Sequence, residues 1–289
     1  MFATNQNLNT TFAPGQHRIQ REGFGFTRAL SNDDLMKIAP AIFADAAHAS
    51  RSARYGYVST VQLVDSLRAE GFLPVSAKFV NTKDSSKDGF QKHMMRFRRA
   101  EQLEAAEARE VILVNSHDGS SQLELMAGIY RMVCSNGLIL GSNDFSMKVR
   151  HNVNAVDNVI EGAYHIVKDF DKVGEQIEGM KAVKLERPLQ IAYANAALAM
   201  RYEDVANCGV KPEALILPKR TADAEPSLWN TFNVVQERMI QGGIRGWKKN
   251  ANGQTKRGTS RAINGISQNV AINRGLWTLA EEMRKAINA

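Results

Sequence analysis

The chain reads as an α+β protein: an antiparallel β-meander over about residues 72–141, packed against long helices and followed by a helical C-terminal region. Three observations predict this. Residues 111–141, VILVNSHDGSSQLELMAGIYRMVCSNGLILG, hold two apolar strand-like runs with little charge and the turn dipeptides Asp118-Gly119 and Asn136-Gly137. From Ala155 onward the apolar spacing changes from two to three and four, the period of a helix. A hydrophobic share of 44% and a charged share of 23% are ordinary for a globular protein, and 289 residues can bury a full core in one large domain or two smaller ones.

Residues 1–22 are polar and broken by Pro14-Gly15, and are expected to form a flexible arm. Ser31 ahead of Asp33 and Asp34 reads as a helix N-cap, with Leu35, Ile38, Ile42 and Phe43 on one face and a kink at Pro40. Ser59 with Gln62 has the spacing of a capping box for a short helix that buries Val61, Val64 and Leu67 and stops at Gly71. Phe72–Val80 and His93–Arg99 alternate as strands about the polar turn 81–89. In the second of these Met94 and Arg96 share one face, while Met95, Phe97 and Arg99 share the other. The acidic stretch Glu101–Glu110 reads as a link into the hairpin of residues 111–141, so that 72–141 counts as roughly four consecutive strands.

Val156, Ile160, Ala163, Val167, Phe170, Ile177 and Met180 mark one long amphipathic helix. Pro188 starts another, ending near Tyr202, and residues 204–226, with Pro212, Pro218 and Pro226, read as a connection. Ser227 caps a helix through Trp229, Phe232, Val235 and Met239 that ends at Gly242-Gly243. The last helix, about 260–287, turns Ile263, Ile266, Val270, Trp277, Ala280 and Met283 inward. The organisation is therefore arm 1–22, α+β core 23–185 and helical region 186–289. That last region carries a basic loop at 244–261, either within the same domain or as a separate one.

Charge points to a polyanionic partner. The formal net charge is +7, and the segment IRGWKKNANGQTKRGTSR (244–261) contains Arg245, Lys248, Lys249, Lys256, Arg257 and Arg261 with no acidic residue. Cations follow a phosphate backbone, and Trp247 among them offers a face on which a base can stack. The competing reading is a solvated loop with a structural tryptophan. A second cluster, Lys87, Lys92, His93, Arg96, Arg98 and Arg99, places Arg96 and Arg98 on one strand face, where they could line a groove. Its competing reading is an exposed sheet face neighboured by Glu101 and Glu104.

Catalytic signals are weak. His117-Asp118 invites a metal or acid–base reading, but the six histidines are scattered with no HxxxH spacing. Ser116, Ser120 and Ser121 lack a nucleophile elbow, and Cys134 lies in an apolar run that suits a core position. No phosphate-binding loop, dinucleotide fingerprint or zinc knuckle is present. Two cysteines give no disulfide framework and fit a reducing compartment. The N-terminus lacks the basic start and apolar run of a signal peptide, and no apolar stretch approaches the roughly 18 residues of a membrane span. A cytoplasmic protein with no membrane association is expected.

Several runs carry a resemblance: RSARYGYVST (51–60), LRAEGFLPV (67–75), KHMMRFRRA (92–100), VILVNSHDGSS (111–121), AGIYRMVCSNGLILG (127–141), VIEGAYHIV (159–167) and NRGLWTLAEEM (273–283). They resemble an uncharacterised family carried by prophages and conjugative plasmids of enterobacteria and relatives, typified by the YafZ/YfjQ proteins. The resemblance spans nearly the whole chain and implies a cytoplasmic mobile-element protein. It implies no activity, so no catalytic residue is transferred. The motif positions Arg54, Tyr55, His93, Arg96, Asn115, Ser116, His117, Asp118, Asn136 and Gly137 become candidates for a shared site or shared turns.

The expected function is single-stranded DNA binding without catalysis, strand annealing included, with no cofactor and no metal. Arg96, Arg98, Arg245, Lys248, Lys249, Lys256, Arg257 and Arg261 would meet phosphates and Trp247 a base; a homo-oligomer is compatible with this. A meander followed by a long helix is similar to the core of Rad52-like annealing proteins, which form rings around DNA, an analogy of topology alone. The alternatives are a protein-binding module that antagonises a host defence or repair factor, and a metal-dependent nuclease using His117 and Asp118.

Overall fold

A computed structural model describes residues 23–24, 28–52, 54–134, 136–141, 145–150, 152, 154–249 and 254–288; the expected N-terminal arm lies outside them. Helix α1 (Asn32–Ile38) starts where the sequence places it. The Ser31 hydroxyl accepts from the Asp34 amide while the Asp34 carboxylate accepts from Ser31, and Pro40–Phe43 continues as a 3₁₀ turn. Helix α2 (Thr60–Ala69) is capped by Ser59 and buries Leu63, Val64 and Leu67. Leu63 takes the place expected of Val61.

The sheet runs in the order β1 (Gly23–Phe24), β2 (Phe72–Phe79), β3 (His93–Arg99), β4 (Glu107–Asn115), β5 (Leu123–Arg131) and β6 (Asn136–Ile139), every pairing antiparallel. Strand β7 (Ser146–Val149) shares the outer edge of β5 with β6: β6 pairs with residues 128–131 and β7 with 123–126. The meander is thus as expected in class and place, with two further short strands closing its edge.

Three expectations about the links and turns of the meander are overturned. The acidic link is partly strand, because β4 begins at Glu107 and carries Glu110 into the interior, where arginines of β3 neutralise it. Asp118-Gly119 is not a two-residue turn. The β4–β5 connection spans residues 116–122, with Gly119 at φ +75°, and it folds inward to make side-chain contacts. Asn136-Gly137 lies on β6, opposite Arg131 and Tyr130, and the chain reverses before it.

Alternation along the strands gives the sheet two buried faces. Met95, Phe97, Val111, Leu113, Leu125 and Ala127 join α2 and α3 (Ala155–Lys168) in a core that extends continuously to Ala280. Met94, Ile112, Val114, Met126 and Ile139 face the other way and meet Ile266 at the start of α8 (Ile266–Ile287). The expected long helix is interrupted at Asp169, which separates α3 from α4 (Phe170–Ala182). Helices α5 (Arg187–Ala199) and α7 (Leu228–Gln241) complete the helical side. Trp229 of α7 donates to Glu107 of β4 at 3.1 Å, which ties the C-terminal helices to the sheet. Residues 204–226 hold a short helix, α6 (Pro212–Leu215). Among the described residues no helix is long and apolar enough to cross a membrane.

Candidate nucleic-acid interface

The basic segment is a hairpin. Strands β8 (Arg245–Lys249) and β9 (Thr255–Thr259) pair antiparallel, with Trp247 opposite Arg257 and Lys248 opposite Lys256. The dipeptide Asn252-Gly253 between them is the signal a sequence offers for such a hairpin, and it falls outside the described residues. The root is fixed by Ser260, whose hydroxyl accepts from the Ile244 amide at 3.1 Å and whose carbonyl accepts from Gly243 at 2.8 Å. Gly246 sits against the carbonyl of Gly209, and a Cβ there would lie 1.5 Å from that oxygen. Only glycine permits this contact.

Above the root the described side chains are open to solvent. Arg245, Lys256, Arg257 and Arg261 are exposed, Trp247 is 55% exposed, and the Arg257 guanidinium lies 5.1 Å from the Trp247 ring centroid. The side chains of Lys248 and Lys249 lie outside the described residues. Six cations in 244–261 account for six of the seven net positive charges of the chain.

The second basic cluster is dispersed by the fold. Arg96 and Arg98 are each 2% exposed. Arg96 Nη1 donates to Glu110 Oε2 at 2.6 Å, Arg98 Nε donates to Glu110 Oε1 at 2.8 Å, and Arg98 stacks over Tyr130. Both guanidinium groups are interior structural groups in this fold, and the groove-lining placement expected of them is corrected accordingly. Arg96 Nη2 also donates to the Gly137 carbonyl at 3.1 Å, and a Cβ on Gly137 would come within 2.5 Å of Arg96 Cζ. Gly137 is therefore a glycine because an arginine presses on it. Arg99 faces the helical side, donating to the Glu70 carbonyl at 2.6 Å. Lys92 bonds Ser267 at 2.8 Å.

Tyr55, His93, Asn115, Ser116, His117 and Asp118 converge at one end of the sheet, around Thr60 at the start of α2. The Thr60 hydroxyl lies 2.9 Å from His93 Nε2 and 3.2 Å from His117 Nε2, and accepts from Asn115 Nδ2 at 2.9 Å. His93 Nδ1 faces the Gln91 carbonyl at 2.9 Å and so carries a proton. Burial pushes the His93 pKa down to about 4, so its Nε2 is bare and accepts the Thr60 proton. His117 then donates from Nε2. The hydroxyl has its one donation and both acceptances filled.

Around this knot, Tyr55 donates to the Ser116 carbonyl at 3.0 Å. Ser116 Oγ accepts from the Ser121 amide at 2.9 Å, closing the 116–122 loop. The Asp118 carboxylate accepts from the Ser120 amide at 2.9 Å; burial opposes its charge, but the bonds from Ser120 and Ser116 outweigh that and hold its pKa below the ordinary value. Arg54 is exposed on the turn ahead of Tyr55, and the Asn136 side chain lies outside the described residues. His117 is committed to Thr60, and among the described residues no three His, Cys, Asp or Glu side chains group to hold a metal. Thr60 was missed in the sequence; only the polar environment the fold builds around it singles it out.

The family model described as "Domain of unknown function (DUF932)" matches residues 47–277. The chain belongs to the DUF932 family. Its DUF932 span contains both the Thr60 knot and the basic hairpin. The chain is similar to the UPF0380 protein YafZ of Escherichia coli (strain K12), 39% identical over 257 residues, 89% of this chain and 92% of that protein. It is also similar to the UPF0380 protein YfjQ of the same organism, 38% identical over 257 residues with the same coverage. No solved structure matches.

Proposed function

We propose that this protein binds single-stranded nucleic acid, DNA in the first instance, through the β8–β9 hairpin, and that it serves strand annealing in the recombination or maintenance of a mobile element. One observation carries the reading: an exposed Trp247–Arg257 pair on a hairpin whose segment has six cations and no carboxylate. Cations spaced along a ribbon neutralise successive phosphates, while the indole supplies a stacking surface indifferent to sequence. With Arg96 and Arg98 interior, the phosphate contacts fall to Arg245, Lys248, Lys249, Lys256, Arg257 and Arg261.

Six contacts to a single strand give a log–log salt dependence of slope about −4. Fluorescence anisotropy with an oligonucleotide of about 40 nucleotides measures it, and reversing Lys256 and Arg257 to Glu should abolish binding. Absence of binding at about 50 mM salt and micromolar protein would overturn the proposal.

A further inference from the structure

Residues 206–214 and the β8–β9 hairpin line an open cavity of about 710 Å³. The size suits a small ligand, for which sites of roughly 300–1,000 Å³ are usual. Val210 and Ala214 give it an apolar side, Trp247 an aromatic edge, and Lys211, Arg245 and Arg257 positive charge. An apolar slot with an aromatic wall and cations around it matches a flat heterocycle attached to an anionic backbone.

Resting on the nucleic-acid reading above, we infer that this cavity receives one unstacked nucleobase of the bound strand, making the ligand a base-bearing single strand rather than any polyanion. A duplex would have to flip a base out of its stack, at a cost of a few kcal/mol, before it could enter. The hairpin cations alone make no such distinction, since a phosphate backbone is common to all these ligands.

The tryptophans offer a direct readout. Trp229 and Trp277 are buried at 2% and 1% exposure, whereas Trp247 is open, so added ligand reaches only the indole at the cavity. Gly258 lines the cavity, and a Cβ built on it meets nothing within 4 Å, so Gly258→Leu adds apolar bulk at the cavity lining without changing charge.

The test titrates the full chain with an oligothymidylate, an abasic oligomer of equal length and charge, and a matching duplex. Anisotropy and tryptophan emission are followed together. The thymidylate should bind at least ~10-fold more tightly than the other two and quench emission, which the abasic oligomer leaves unchanged. Gly258→Leu should lower thymidylate affinity to the abasic level and leave abasic binding intact. Unchanged thymidylate affinity in Gly258→Leu, with thymidylate still preferred over the abasic oligomer, would overturn the cavity assignment while leaving the hairpin reading standing. Absence of binding by all three would remove both.

Discussion

Lowering the pH from about 7.5 to about 5 should withdraw about 2 kcal/mol of folding stability through His93 alone. His93 is fully enclosed, with Nδ1–H directed at the Gln91 carbonyl and Nε2 accepting the Thr60 hydroxyl. Burial pushes its pKa from the ordinary 6.5 down to about 4. The unfolded chain therefore takes up the proton first as the pH falls, and the folded state is penalised from about pH 6.5 downward. At about 1.4 kcal/mol per unit of pKa difference, the loss is about 2 kcal/mol at pH 5 and about 3 kcal/mol near pH 4, where the folded state also protonates.

Structurally, a proton on Nε2 would face an oxygen whose lone pairs already hold Asn115 and His117. Urea unfolding at several pH values reads the effect, and His93→Gln supplies the control. Its amide oxygen can accept from Thr60 but does not titrate. The stability gap between the two proteins should narrow by about 2 kcal/mol from pH 7.5 to 5, all other titrating groups cancelling. A gap constant to within about 0.5 kcal/mol would refute the assignment of His93 as a buried neutral acceptor.

Two further perturbations test the other face of the sheet. Glu110→Gln strands two buried guanidinium groups and should cost about 3–5 kcal/mol in urea unfolding; a loss below about 1 kcal/mol would mean the arginines find other compensation. Gly137→Ala drives a methyl into the Arg96 guanidinium and should cost about 1–3 kcal/mol, and less than half as much when Arg96 is already Ala. Simple additivity of the two substitutions, measured by thermal or urea unfolding, would contradict the contact.

Legibility followed the range of the forces involved. The Ser31 and Ser59 caps, the glycine stop after α7 and the alternation of β2 and β3 rest on neighbours within a few residues, and each is readable from local pattern. The failures share a different cause. Glu110 resembles linker because its charge is unfavourable until β3 lies beside it. Gly137 resembles a turn residue because its actual constraint is Arg96, distant in sequence. The hairpin at 244–261 was visible only as charge, since Asn252-Gly253 is surrounded by polar residues that give no apolar alternation.

The sequence by itself determined the α+β class, the place of the meander and the concentration of positive charge in one segment, because periodicity and net charge are sums over neighbouring residues. The packing of the sheet is what buries Arg96 and Arg98 and gives the Asn115–Asp118 corner its hydrogen-bond partners. Arg96 and Arg98 point to a partner as readily as Arg245 and Arg257 until the sheet forms and Glu110 takes the first pair inside. Thr60, His93, Asn115 and His117 come from three separate segments, and their shared hydroxyl exists as a junction only once α2 is laid against β3 and β4.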